Sequence, residues 1–408
     1  MKYLICLSVI IAVWVFLRIQ RHLKCALIRK ILWHQYAVCQ HIGYLSIFAG
    51  DIFELVSLAV MQAPYHLQKE ILYGLKKNDV NTLLFYLKQY EPPLCYALNV
   101  LLERQTRFVM HKIPRSVFSK LALCLICECQ TEHEKIESIL KELPVCLLNR
   151  KLKFLIKICS ARCLFWKTDL NKCSKILSKL LRNLTKKDEA DKAAYLYFML
   201  GETYRIAGLY DTAHLMYYHA LTIFSKTNQV FGQGVVKCAL GLSCILQGCF
   251  TEADKYFEDV RRFCYKQHND FIEARLLNLQ ALSYCLQHLP DKAYKTAHKA
   301  FNKNEAIHNL SGMAFSTELK AVSAYHQEKL TTAHKLADKA VRYFRQARQF
   351  YGETEAKYVV ACICSALGQK QKADKIFKCL KSRKKIHKAF FYIASIEKLM
   401  YGSDVGKT

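Results

Sequence analysis

The sequence predicts an all-α fold, a solenoid of stacked helix pairs, and three observations carry that prediction. Small residues echo at a 40-residue period through the C-terminal two-thirds of the chain. Apolar residues between them recur at offsets of three, four and seven, which is one face of an α-helix. Only 6 Pro and 14 Gly occur in 408 residues, well under average usage, whereas strand-rich folds need more turn residues.

The first small column is Ala161, Gly201, Gly241, Ala281, Ala321 and Ala361. Twelve residues on stands a second, Cys173, Ala213, Ala253, Ala293, Ala333 and Ala373. Two helices that cross closely need small side chains where their backbones approach. A strict period of this length marks repeats that bury their apolar faces only against neighbouring repeats. Larger columns agree. Leu164, Tyr204, Cys244, Tyr284, Ala324 and Cys364 follow the first small column, and Leu177, Tyr217, Phe257, Ala297, Ala337 and Phe377 follow the second. Gly208, Gly248 and Gly368 fall where a first helix should end in a tight turn. Gly232, Gly312 and Gly352 are expected between one repeat and the next.

These residues resemble the tetratricopeptide repeat. The best copy is LGETYRIAGLYDTAHLMYYHAL, Leu200 to Leu221, with its Leu-Gly pair, turn Gly and packing Ala. The common repeat has 34 residues; a period of 40 is similar to the longer variant of adaptors and peptide-sensing regulators. The resemblance spans about residues 150 to 385, six repeats starting near 154, 194, 234, 274, 314 and 354. The chain departs from the pattern at the first-helix Trp position, which holds Lys157, Tyr197, Lys237, Leu277, Thr317 and Lys357. The repeat-ending Pro is also missing. The resemblance implies a right-handed solenoid whose first helices line a concave groove. The groove residues it implies are Glu202, Arg205, Leu242, Asn278, Leu282, Glu318, Val322, Tyr325, Tyr358 and Cys362. The Lys and Asn ring with which some family members clamp a chaperone's carboxylate is not carried at the matching positions.

Residues 62–150 read as divergent helix pairs: 67–75 with 80–90, then 94–107, then 116–129 with 132–143, punctuated by Pro92, Pro93 and Pro144. Residues 151–385 are the repeats. Residues 386–408 are a capping helix and a loose tail, the cap sealing the last core.

At the other end, Tyr3 to Leu17 is uncharged and apolar, and Arg18, Arg21, Lys24, Arg29 and Lys30 follow. Residues 1–20 are expected to be a membrane anchor, short against the usual ~20-residue span. A cleaved signal peptide and a buried core helix are the rival readings. Basic residues after an anchor stay cytoplasmic, which places the solenoid there, and they offer contact with anionic lipid. Residues 21–61 are the basic juxtamembrane and amphipathic segment. Within it, Asp51 and Glu54 make a second span over 42–61 costly.

The net charge of +28 is densest at the juxtamembrane run and across Lys370 to Lys388. Nucleic acid is the rival to lipid as its partner, yet no helix-turn-helix, zinc finger or aromatic-basic stacking motif appears. The 19 cysteines fall mostly on core columns, as buried small hydrophobes do in a reducing compartment. Cys124, Cys127 and Cys129 lack an obvious second ligand pair for zinc, although Cys159 and Cys163 lie one helical turn apart. Acylation of Cys25, beside the expected membrane, is the lesser alternative to a buried thiol there. No phosphate-cradling loop, nucleophile elbow or metalloprotease motif occurs, so neither catalysis nor a cofactor is expected. The expected function is a membrane-tethered scaffold that binds a protein or peptide in its groove. The alternatives are a peptide-responsive regulator and a basic solenoid for nucleic acid or anionic lipid.

Overall fold

The computed structural model describes residues 20–32, 49–98, 116–143, 150–184, 190–384 and 400, short of scattered positions within these ranges. Every regular element among the described residues is a helix. The expected anchor with Arg18, most of the expected helix over 94–107, and nearly all of the expected cap over 386–401 lie outside them.

The chain divides into two compact units, residues 1–129 with 134–159, and residues 130–133 with 160–408. The first unit holds α1 (Ala49–Val60), α2 (Tyr65–Lys76), α3 (Asn81–Tyr90) and α4 (Val117–Cys129). α5 (His133–Lys141) and α6 (Arg150–Trp166) follow. α1 buries Ile52, Phe53, Leu55, Val56, Ala59 and Val60 and packs on α4. α2 starts two residues before its expected position. Pro64 precedes it as N-cap, where its missing N–H costs no helical bond. Tyr86 of α3 donates its hydroxyl to the Ala59 carbonyl at 3.2 Å, tying α3 to α1.

The second unit takes in the end of α6 and holds α7 (Leu170–Arg182), α8 (Ala190–Ile206), α9 (Tyr210–Lys226) and α10 (Val230–Gln247). Then come α11 (Phe250–Gln267), α12 (Asp270–Leu286), α13 (Pro290–Ala306) and α14 (Leu310–His326). α15 (Leu330–Gln346), α16 (Phe350–Ala366) and α17 (Lys370–Lys384) complete it. First helices begin at 150, 190, 230, 270, 310 and 350, and second helices begin 20 residues after each.

One hydrogen bond explains where first helices stop. The carbonyls of Tyr204, Cys244, Tyr284, Ala324 and Cys364 accept from the N–H five residues on, at 2.9–3.0 Å. This bond closes a left-handed C-terminal turn. The residue at the turn has positive φ every time: Gly208, Gly248, His288, Glu328 and Gly368. The three glycines match expectation; His288 and Glu328 occupy the same position without a glycine's freedom. Starts are set by side chains. Asn269 and Asn309 accept from the N–H of Ile272 and Gly312 at 3.0 and 3.2 Å, and Pro290 opens α13 in the first turn.

The small columns are matched in size to the residues they meet. A Cβ on Gly201 would stand 2.5 Å from the Tyr217 ring, and one on Gly241 would stand 2.4 Å from Phe257. Where the later residue is Ala297 or Ala337, the earlier one is Ala281 or Ala321, and all four are fully buried. The last pair departs from this rule, because Phe377 is half-buried and tilts edge-on to Tyr358, with ring centroids 5.3 Å apart. Gly232, Gly312 and Gly352 are corrected from linkers to the first turns of α10, α14 and α16. Phe224, Asn304 and Phe344 fill the space a side chain would need there.

α10 is the one described helix long and apolar enough to cross a bilayer. It lies between α9 and α11 and touches α8 and α12, and its buried residues include Val236, Leu240 and Ile245. Cys25, Cys95, Cys124, Cys159, Cys163, Cys173, Cys238, Cys244, Cys264, Cys285, Cys362 and Cys364 are buried, and Cys249 and Cys379 are exposed.

Candidate functional site

Consecutive first helices pack directly on one another, α8 on α10, α10 on α12, α12 on α14 and α14 on α16. Consecutive second helices make no comparable contact. In a curved two-layer stack the layer with the shorter arc brings its members together, so the first helices form the inner layer. All ten residues expected to line the groove stand on these helices.

Their environments differ. Val322, Cys362 and Leu282 are 0, 1 and 8 % exposed and are packing residues, part of one buried cluster. Asn278 is also buried, and its amide joins neighbouring first helices. Its Nδ2 donates to the Gly312 carbonyl at 3.4 Å and its Oδ1 accepts from Ser316 Oγ at 2.7 Å. Leu242, Tyr325 and Tyr358 are half-buried against the same cluster. These three keep part of their surface uncovered.

Arg205, one of the implied groove residues, is turned to a partner within its own helix. It is 5 % exposed and holds Glu202 in a two-pronged pair, Nε to Oε1 at 3.2 Å and Nη2 to Oε2 at 2.9 Å. The Tyr217 hydroxyl donates to the same carboxylate. Burial pushes the Glu202 carboxyl up. The Arg205 charge and hydrogen bonds, the Tyr217 hydroxyl and the Arg275 charge outweigh it and hold the group down at about 2. Burial and the Glu202 charge push Tyr217 well above the usual phenol. The arrangement is a closed ion pair inside the inner layer.

Glu318 is the opposite case. It is 4 % exposed, and neither carboxylate oxygen has a hydrogen-bond partner among the described residues. Burial raises its carboxyl well above the ordinary range, and the nearby Glu355 raises it further. Burial lifts Glu355 itself to about 8. Two carboxyls that share a low-dielectric site resist ionising together. Chemically, the pair can keep protons or accept a cation. The sequence reading missed Glu355 and Arg275. Both stand three residues before groove positions, Tyr358 and Asn278, so a helix-face search widened by one offset would have found them.

Among the described residues no group of three or more His, Cys, Asp or Glu side chains is placed to hold a metal ion.

No protein-family profile matches this chain, and no curated protein sequence matches it. Solved structures do. A Rap protein complexed with competence and sporulation factor is similar at 16 % identity with a TM-score of 0.50, over 69 % of this chain and 81 % of that one. NprR in complex with its cognate peptide NprX gives 14 % identity and a TM-score of 0.48, over 71 % and 84 %. The tetratricopeptide-sensor STAND protein PH0952 from Pyrococcus horikoshii gives 16 % identity and 0.46, over 86 % and 51 %. At such identities the likeness is one of fold. The chain is a tetratricopeptide-like helical repeat protein.

Proposed function

We propose that the inner face between α10 and α16 holds an extended protein or peptide segment, and that the chain is a non-catalytic scaffold tethered to a membrane. The half-buried Leu242, Tyr325 and Tyr358, on the same layer as the buried Glu318, whose carboxylate has no hydrogen-bond partner among the described residues, and the half-buried Glu355 beside it, carry the binding part. Apolar side chains of a segment would lie on the first three. A basic group would neutralise Glu318 and Glu355. The Rap protein of similar fold is complexed with a factor, which supports the reading of a groove with an occupant. A second reading is that the occupant changes the solenoid's curvature and the chain is a regulator. The tether rests on the apolar run Tyr3 to Leu17 and the basic residues after it.

Photo-crosslinking tests the groove. A photoreactive residue placed at Tyr325 or Tyr358 should capture one partner segment, identifiable by mass. The same residue at Tyr218 on the outer α9 should not. Equal capture from both faces, or capture from α9 alone, refutes the groove. Carbonate extraction tests the tether: the full chain should stay with the membrane, and a chain lacking residues 1–19 should leave it.

A further inference from the structure

We propose that one face of α2 is a docking surface for an anionic lipid bilayer. Tyr65, Lys69, Tyr73 and Lys77 follow one another at every fourth position, so they form one stripe. All four are exposed, while Ile71, Gly74 and Leu75 bury the opposite side. The lysines sit over the rings. Lys69 Nζ lies 4.8 Å from the Tyr65 centroid and Lys77 Nζ lies 4.4 Å from that of Tyr73. Lys24, from the basic run after the apolar segment, reaches the other end of the stripe, 5.3 Å from the Tyr65 ring.

The chemistry selects the occupant. The five most exposed large apolar side chains among the described residues all belong to the first unit; two of them, Tyr65 at 64 % and Tyr73 at 62 %, lie on this stripe, and a third, Leu23 at 64 %, precedes Lys24 in the chain. Tyrosine rings with a polar tip suit the headgroup layer, where lysines lay their stems along apolar surface and carry their charge to phosphate. Nucleic acid fits less well, because ammonium groups already cover the ring faces on which bases would stack. Chain length gives an independent constraint. Lys24 is seven positions along the chain from Leu17, a reach of at most ~25 Å even fully extended. An apolar segment in the bilayer therefore holds this stripe near the headgroups. The inference rests on the tether reading for that constraint alone.

The test uses the full chain in nanodiscs of phosphatidylcholine, with or without phosphatidylserine. Lysines are footprinted with an amine-reactive reagent. Labelling of Lys69, Lys76 and Lys77 should fall about five-fold when phosphatidylserine is present, the factor one basic side chain carries near such a surface. Lys299 on α13 should not change. In a variant with Lys24→Glu, Lys69→Glu and Lys77→Glu, all at surface positions, Lys76 should label equally in both discs. Equal labelling of the wild type in both discs, with carbonate-resistant attachment, overturns the docking surface and leaves the tether standing. Protection by phosphatidylserine in a protein that carbonate extracts keeps the docking surface and removes the tether. Equal protection by a lipid-free RNA duplex overturns the bilayer assignment.

Discussion

Adding one methyl group at Gly241 should destabilise this protein, and the same methyl should stabilise it once Phe257 is gone. In the native packing the new Cβ would stand 2.4 Å from one ring carbon of Phe257 and 3.0 Å from two others. Carbon atoms in contact prefer about 3.5–4.0 Å. The ring is fully buried, so it has no free space to move into. Overpacking of this kind costs about 1–3 kcal/mol. Alanine inside a helix gains about 1 kcal/mol over glycine, which offsets part of it. A clash of more than 1 Å between a backbone-fixed atom and a closed-in ring belongs at the upper end. The expected net loss for Gly241→Ala is therefore about 2 kcal/mol. Phe257→Ala alone should cost about 3–5 kcal/mol through its cavity. In that background the methyl enters empty space, and Gly241→Ala should return about 1 kcal/mol. The double variant recreates the pairing seen at Ala281 with Ala297 and at Ala321 with Ala337. Urea unfolding followed by far-ultraviolet circular dichroism on the four proteins measures the cycle. If Gly241→Ala has the same sign in both backgrounds, the size-matching account is wrong.

Two further outcomes are expected. His288 carries φ of 55° at the helix-ending turn where Gly248 carries 81°. His288→Gly should therefore be neutral or stabilising by up to ~1 kcal/mol, and Gly248→Ala should cost about 1 kcal/mol, since left-handed backbone costs other residues about 1–2 kcal/mol; thermal melting of the two variants decides. Acid and base should also act through different carboxyls. Glu202 is held near 2 in the fold, so the unfolded chain binds its proton more readily, and its contribution is present above about 4.5 and lost as pH falls toward 2. Glu355 is lifted to about 8, so the folded chain keeps its proton longer, and stability is lost as pH rises from about 4.5 through 8. Glu355→Gln should flatten the alkaline side of a stability–pH profile and Glu202→Gln the acid side; an unchanged alkaline side in Glu355→Gln counts against the pairing of Glu355 with Glu318.

The sequence by itself determined the repeat, its 40-residue period, the all-helical class and which columns are small. Each helix of a solenoid meets neighbours of the same kind, so the same positions are buried every 40 residues and the pattern is written along the chain. Glycine marked three of the five left-handed turns that end first helices among the described residues, Gly208, Gly248 and Gly368. His288 and Glu328 were not legible, because their backbone is set by the same five-residue hydrogen bond and not by their own preference. Gly232 and Gly352 looked like linkers until Phe224 and Phe344 were seen to occupy the space beside them. The inner face was legible as a set of positions and not as a set of roles. Arg205 and Glu318 both read as polar groove residues. Only the tertiary structure gives Arg205 and Tyr217 to Glu202 and leaves Glu318 beside Glu355 with no hydrogen-bond partner among the described residues. Helix-forming pattern is a local property of the chain. The state of a charge depends on what surrounds it and how far water is excluded, and residues 37 positions apart meet only when the repeats stack.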